Sequence, residues 1–88
     1  MLRELRLRRG WTLRRLAGEI EINPGILSMI ERGLRKPTNR AVADLARALK
    51  IDSAEVLRLS RRAQVEYRRE IARAEIARIL KISKEIDQ

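Results

Sequence analysis

General acid–base chemistry needs two ionisable groups that converge on one substrate atom. The chain offers Glu66 and Glu70, four apart on one helix face, but no second convergent pair and no His or Cys. The usual proton shuttle at neutral pH, a thiolate nucleophile, disulfides and zinc-finger ligands are thereby excluded. No Gly-rich phosphate loop or metal-ligand spacing occurs either, so no catalytic residue, metal or cofactor is expected. What the residue types favour is phosphate. The 21 Lys+Arg outnumber 12 Asp+Glu for a net charge of +9, and most of the positive residues are Arg, the better phosphate fork. The chain is not expected to be an enzyme.

Those cations need a scaffold, and 88 residues can build one modest core, with or without an appendage. Four Gly, two Pro and two aromatics, Trp11 and Tyr67, stand among abundant Leu, Ile, Ala, Arg and Glu. Nothing alternates at period two, so the fold class is all-α. No run approaches the ~18 apolar residues of a membrane span. The first ten residues interleave Arg and Leu and lack the continuous apolar stretch of a secretory signal.

A first helix is expected from Leu2 to about Arg9, with Leu2, Leu5 and the Arg9 stem on one face, stopped by Gly10. Arg3, Arg6, Arg8 and Arg9 read as a solvated face. Thr12 caps a second helix, in which Leu13, Leu16, Ala17 and Ile20 recur at helical spacing. Asn23 caps a third, and Pro24 fits its first turn, where a missing N–H costs nothing. That helix carries Leu27 and Ile30 inward and ends near Gly33. A basic loop, Arg35-Lys36-Pro37, leads to a fourth helix capped by Thr38 with Ala41, Val42, Leu45, Ala46 and Leu49 as its apolar stripe. Asp52 with Glu55 three residues on suggests a capping box for a fifth, whose Val56, Leu57 and Leu59 close the core. Trp11 is expected at the core edge between the first two helices.

Two short helices across Thr12–Gly33, joined by a three-residue turn, form a helix-turn-helix, which projects its second helix into the DNA major groove. Leu16-Ala17, Ile22, Leu27-Ser28, Ile30-Glu31-Arg32-Gly33 and Lys36-Pro37 stand at mutually consistent spacings. In these residues the chain resembles the Xre family of phage-repressor and Cro-like regulators, over about residues 2–59. The resemblance implies a five-helix lambda-repressor-like domain at 1–59 with Pro24–Arg32 as recognition helix. Pro24, Gly25, Ile26, Ser28 and Met29 would then face the groove. By position, Thr12, Arg14, Arg32, Arg35, Lys36, Thr38, Asn39 and Arg40 would hold phosphates. Glu31 would be structural, paired with a neighbouring Arg.

Three departures from the family pattern matter. Leu13 stands where a DNA-reaching Gln is common, and Glu21 and Lys50 stand where the turns usually carry Gly. A non-Gly residue in the left-handed region costs roughly 1–2 kcal/mol. Among the five groove candidates only Ser28 has a polar side chain, although base edges are usually read by Arg, Lys, Asn or Gln. Ile26 and Met29 could instead touch thymine methyls, with specificity from phosphate placement and DNA deformability. Alternatively, Leu13, Ile26 and Met29 form a protein-binding patch, or Leu13 simply joins the core stripe. The basic loops and overall charge favour DNA.

Residues 60–88 exceed what five helices need, and from Arg61 to Ile86 they hold no Gly or Pro. They read as a long amphipathic helix of roughly 40 Å. Val65, Ala72, Ile76, Ile79, Leu80 and Ile86 form its apolar stripe and are the candidate dimerisation residues; Arg69 and Ser83 break a strict coiled-coil pattern. Packing back on its own core and binding a different protein are the alternatives. A membrane surface is disfavoured by the five acids of the tail. The expected function is a cytoplasmic, nucleoid-associated regulator, bacterial or phage-encoded. It would be a homodimeric repressor that binds double-stranded DNA at a palindromic operator. An antitoxin-type autoregulator with a toxin-binding tail, and a protein-interaction module with weak DNA binding, are the rivals.

Overall fold

A computed structural model describes residues 1–86, with side chains through Ser83. Five helices follow in order: α1 (Leu2–Arg8), α2 (Leu13–Glu19), α3 (Pro24–Arg32), α4 (Asn39–Leu49) and α5 (Ser53–Ile86). The starts of α2, α3 and α4 have a local cause. Thr12 Oγ1 accepts from the Arg15 amide at 3.1 Å, Asn23 Oδ1 from Gly25 at 2.7 Å, and Thr38 Oγ1 from Ala41 at 3.1 Å. Each cap satisfies an amide that has no partner within its helix. At the other ends, Gly10 and Gly33 take left-handed conformations, with φ of +71° and +81°.

One apolar stripe from each helix meets at the centre. Leu2, Leu16, Ala17, Ile20, Leu27, Ile30, Val42, Leu45, Ala46, Leu49, Val56 and Leu59 make a single buried cluster. α5 packs on α1, α3 and α4 and so closes the bundle. Its approach to α3 is close: a Cβ on Gly33 would overlap the Ala63 carbonyl and lie 2.7 Å from the Gln64 nitrogen. Gly33 is therefore required twice, for its left-handed cap and for this contact.

The first helix corrects two expectations. Arg6 is buried, not part of a solvated face, and it meets Glu31 across the core with Nε 2.7 Å from Oε1. Glu31 is thus paired with a residue 25 positions away rather than with a near neighbour. Arg9 is exposed, and its guanidinium lies over the Trp11 ring, 5.3 Å from the centroid, with that of Arg15 at 5.4 Å. Trp11 itself packs half-buried at the edge of the core.

The expected box at the start of α5 is also altered. The Asp52 carbonyl accepts from the Glu55 and Val56 amides, while the Glu55 carboxylate turns outward to Arg58 Nε at 2.8 Å. That hydrogen bond holds the Glu55 carboxyl below its ordinary value.

Two turns carry the strain that the missing glycines imply: Glu21 sits at φ +53° and Lys50 at φ +55°. Relief of a left-handed side chain is worth roughly 1–2 kcal/mol, offset by the greater freedom of Gly in the unfolded chain, ~0.5–1 kcal/mol. Lys50→Gly is expected to stabilise the fold by about 0.5–1 kcal/mol, read as a higher urea midpoint with unchanged slope. A lower midpoint would show that the Lys50 side chain contributes more than its backbone costs.

α5 runs without interruption through residue 60. Its first half is a core helix, with Val56, Leu59, Ser60 and Ala63 buried. From Arg68 through Ser83 every residue is exposed. The described residues measure 57 × 23 × 21 Å along their principal axes, the length coming from this projecting helix. Residues 68–83 do not pack back on the core, and none of the described helices is long and apolar enough to cross a membrane.

Candidate nucleic-acid interface

The turn between α2 and α3 decides where α3 points. Glu21 in its left-handed conformation reverses the chain, Ile22 N–H donates to the Ala17 carbonyl at 3.0 Å, and the Asn23 cap then starts α3. A Cβ at Gly25 would lie 2.9 Å from Asn23 Oδ1, so a larger residue there would push against the capping side chain. Leu27 and Ile30 anchor α3 inward. Pro24, Ile26, Ser28 and Met29 are half-buried and Gly25 is exposed, so the five groove candidates retain accessible surface.

Ile26 also packs against the core cluster, as does Leu13. Leu13 therefore belongs to the edge of the core, the simpler of its two expected roles. Among the groove candidates, the polar side chain is Ser28, flanked by the apolar Ile26 and Met29.

Beside the start of α3 lies a cleft of about 340 Å³ lined by Glu21, Ile22, Asn23, Ile26, Ile30, Arg35, Lys36, Thr38 and Ala41. It brings the turn before α3 against the basic loop after it. The loop is held by the Gly33 and Leu34 amides, which donate to the Ile30 and Met29 carbonyls at 3.2 and 2.9 Å, and by buried Pro37. Arg35 and Lys36 project from this anchored base into solvent. None of the described carboxylates forms an ion pair with either. Thr38 and Thr12 use their oxygens as caps, and each keeps an O–H proton to donate.

Asn23 was not among the expected contacts, yet it lines the cleft. Its Oδ1 is occupied by the cap, and the amide nitrogen is the end left for a ligand. The signal visible in the sequence is the cap itself, whose spacing points only to a structural role.

The other phosphate candidates divide. Arg14, Asn39 and Arg40 are exposed at the starts of α2 and α4. Arg40 lies 3.8 Å from Asp44, a weak exposed pair. Arg32 is brought elsewhere. It lines a groove between α1 and α5 with Arg3, Glu4, Glu66 and Glu70, apart from the Arg35–Thr38 cleft. In that groove Glu66 and Glu70 stand beside cations, and Arg62 donates to Glu66 at 3.3 Å, as ordinary surface acids do.

A helix-turn-helix family model matches residues 2–56, from the start of α1 into the first turn of α5. The chain belongs to the Xre-like helix-turn-helix family. Among solved structures, this helix-turn-helix chain is similar to the clp gene regulator ClgR from Corynebacterium glutamicum. The two are 34% identical over 93% of this chain and 84% of that one, with a TM-score of 0.60. No curated protein matches it. Membership makes it a DNA-binding transcriptional regulator, with α2 and α3 as the two helices of the motif.

Proposed function

We propose that the protein is a homodimeric repressor that binds a palindromic operator in double-stranded DNA. Carrying this reading is the placement of α3: its capped start is exposed beside an anchored loop whose Arg35 and Lys36 have no acidic partner among the described residues. Pro24, Gly25, Ile26, Ser28 and Met29 would lie in the major groove. Thr12, Arg14, Arg35, Lys36, Thr38, Asn39 and Arg40 would hold the flanking phosphates, with Arg32 the outlying member. With one polar reader, sequence preference would come from thymine methyls against Ile26 and Met29 and from DNA shape. Bound there, the dimer would exclude polymerase from a promoter, which places its work in the cytoplasm.

Residues 1–59 supply the DNA-binding part in this reading, and residues 60–88 the dimerisation element. Support comes from the direction of the apolar stripe. At about 100° per residue, Val65, Ala72, Ile76 and Ile79 lie on roughly the opposite side of α5 from Val56, Leu59 and Ala63. The domain's own core therefore lies behind the stripe. Ile76, Ile79 and Leu80 each leave more than half their surface in water, at 57%, 55% and 59%. A second copy would cover them, at about 25 cal/mol gained per Å² of apolar area buried. Of the six stripe residues, the Ile86 side chain lies outside the described residues.

Selection of bound duplexes from a random pool at near-physiological salt tests the reading. An inverted repeat is expected, with half-sites about one helical turn apart. Ile76→Asp with Ile79→Asp should give a monomer by light scattering and leave only weak half-site binding. Binding without sequence enrichment would overturn the operator assignment, and a double variant that still dimerises would overturn the role of the tail.

A further inference from the structure

The Arg35–Lys36 loop has a second side. Facing α5 it borders a notch of about 340 Å³ lined by Gly33, Leu34, Arg35, Lys36, Gln64, Tyr67 and Arg68. Gln64, Tyr67 and Arg68 follow at i, i+3 and i+4 and so share one face of α5. Three cations thus meet from two elements far apart in sequence. Among the described residues no carboxylate lines the notch, although Glu66 and Glu70 are close in sequence; they line the separate groove against α1. Arg35, Lys36 and Arg68 are all exposed, and none has an ion pair among the described residues. Like charges gathered without a counter-ion repel one another, a cost that a bound anion relieves, and a planar guanidinium beside an ammonium suits phosphate oxygens.

We infer that this notch is a DNA-phosphate site, and that Arg68 of α5 is a DNA contact. The inference rests on the DNA-binding reading and extends it beyond the matched motif, since residue 68 lies outside the 2–56 match. The loop is shared by the two clefts, so a strand held on one side by Thr38 and Asn23 passes Arg35 and Lys36 and reaches Arg68 on the other. The Gln64 amide nitrogen donates to Ser60 Oγ at 3.3 Å, which fixes that side chain along the wall of the notch. The close packing of α5 on Gly33 sets the distance between helix and loop. The same helix that closes the core and carries the dimer stripe thereby also touches DNA, which couples the dimer's geometry to the placement of its two recognition helices.

The test is affinity against salt for the full chain on duplex DNA, comparing Arg68→Ala with Arg78→Ala. Arg78 serves as the charge control, because it lies farther along α5 and is paired with Glu75. Arg68→Ala is expected to weaken binding about tenfold and to reduce the log–log salt slope by about 0.9 per half-site. Arg68→Lys should recover most of the slope, and Arg78→Ala should leave it near wild type. Equal effects of Arg68→Ala and Arg78→Ala would mean net charge only and would overturn the site. So would wild-type binding that Arg68→Ala leaves unchanged. Failure of the unmodified protein to bind any duplex would instead overturn the DNA reading from which this one follows.

Discussion

Replacement of both Arg35 and Lys36 by alanine is expected to weaken DNA binding by roughly a hundredfold and to flatten its salt dependence by about two charges per half-site. The size follows from position. Both side chains are exposed, have no acidic partner among the described residues and border the clefts on either side of the loop. Cations already held by a carboxylate would have to break that pair before meeting a phosphate, whereas these two meet it directly. Each phosphate neutralised releases condensed counter-ions, which gives a slope change near 0.9 per contact. The loss should be uniform across sequences, because phosphates carry no base identity. Thermal stability should barely move, since neither side chain is buried or paired. Fluorescence anisotropy over a salt series, with a melting curve for each variant, checks both halves. A double variant that keeps wild-type affinity and slope would remove the loop from the interface. Loss confined to one operator sequence would make these residues base readers.

How much of this was legible beforehand depends on whether the cause is local. The caps at Thr12, Asn23 and Thr38, Pro24 in the first turn and Gly33 at a helix end each act within four residues, and each stands as the spacing predicted. The core stripes were readable for the same reason, because helical periodicity is a property of one segment. Arg6 was not readable. Its neighbours Arg3, Arg8 and Arg9 are chemically alike, and only the packing of α1 against α3 selects it for burial beside Glu31. The notch at Arg68 was hidden in the same way, since it requires α5 to pass alongside a loop some thirty residues earlier. Leu13 shows the reverse error: read against a family position that often reaches DNA, it drew functional alternatives, yet its spacing alone already placed it with Leu16, Ala17 and Ile20. The strain at Glu21 and Lys50 was visible only through that family comparison, since nothing in either residue type announces a left-handed backbone. Whatever depends on two distant segments meeting had to wait for the structure.

Glu31→Ala should destabilise the fold by about 3–5 kcal/mol. Arg6 and Glu31 retain only 9% and 4% of their side-chain exposure, and the guanidinium gives Nε to Oε1 at 2.7 Å and a second nitrogen to Oε2 at 3.4 Å. A third nitrogen donates to the Trp11 carbonyl at 2.9 Å. Removal of the carboxylate leaves a buried cation with one partner out of three, and the remaining charge costs several kcal/mol to keep out of water. A chain of this length has about 5–10 kcal/mol of stability in total, so much of it would be lost. Glu31 also sits in the last turn of α3, where a negative charge is unfavourable beside the helix dipole, and Arg6 offsets that cost. Urea unfolding followed by the fluorescence of Trp11 measures the loss. Arg6→Met with Glu31→Leu should regain most of the stability, because two apolar side chains leave no buried charge. The DNA affinity of that double variant should still fall, since the paired hydrogen bonds fix the angle of α3 against α1 and an apolar contact does not. A double variant with full stability and full affinity would show that the pair only fills space. Full stability with reduced affinity would show that the ion pair aims the recognition helix.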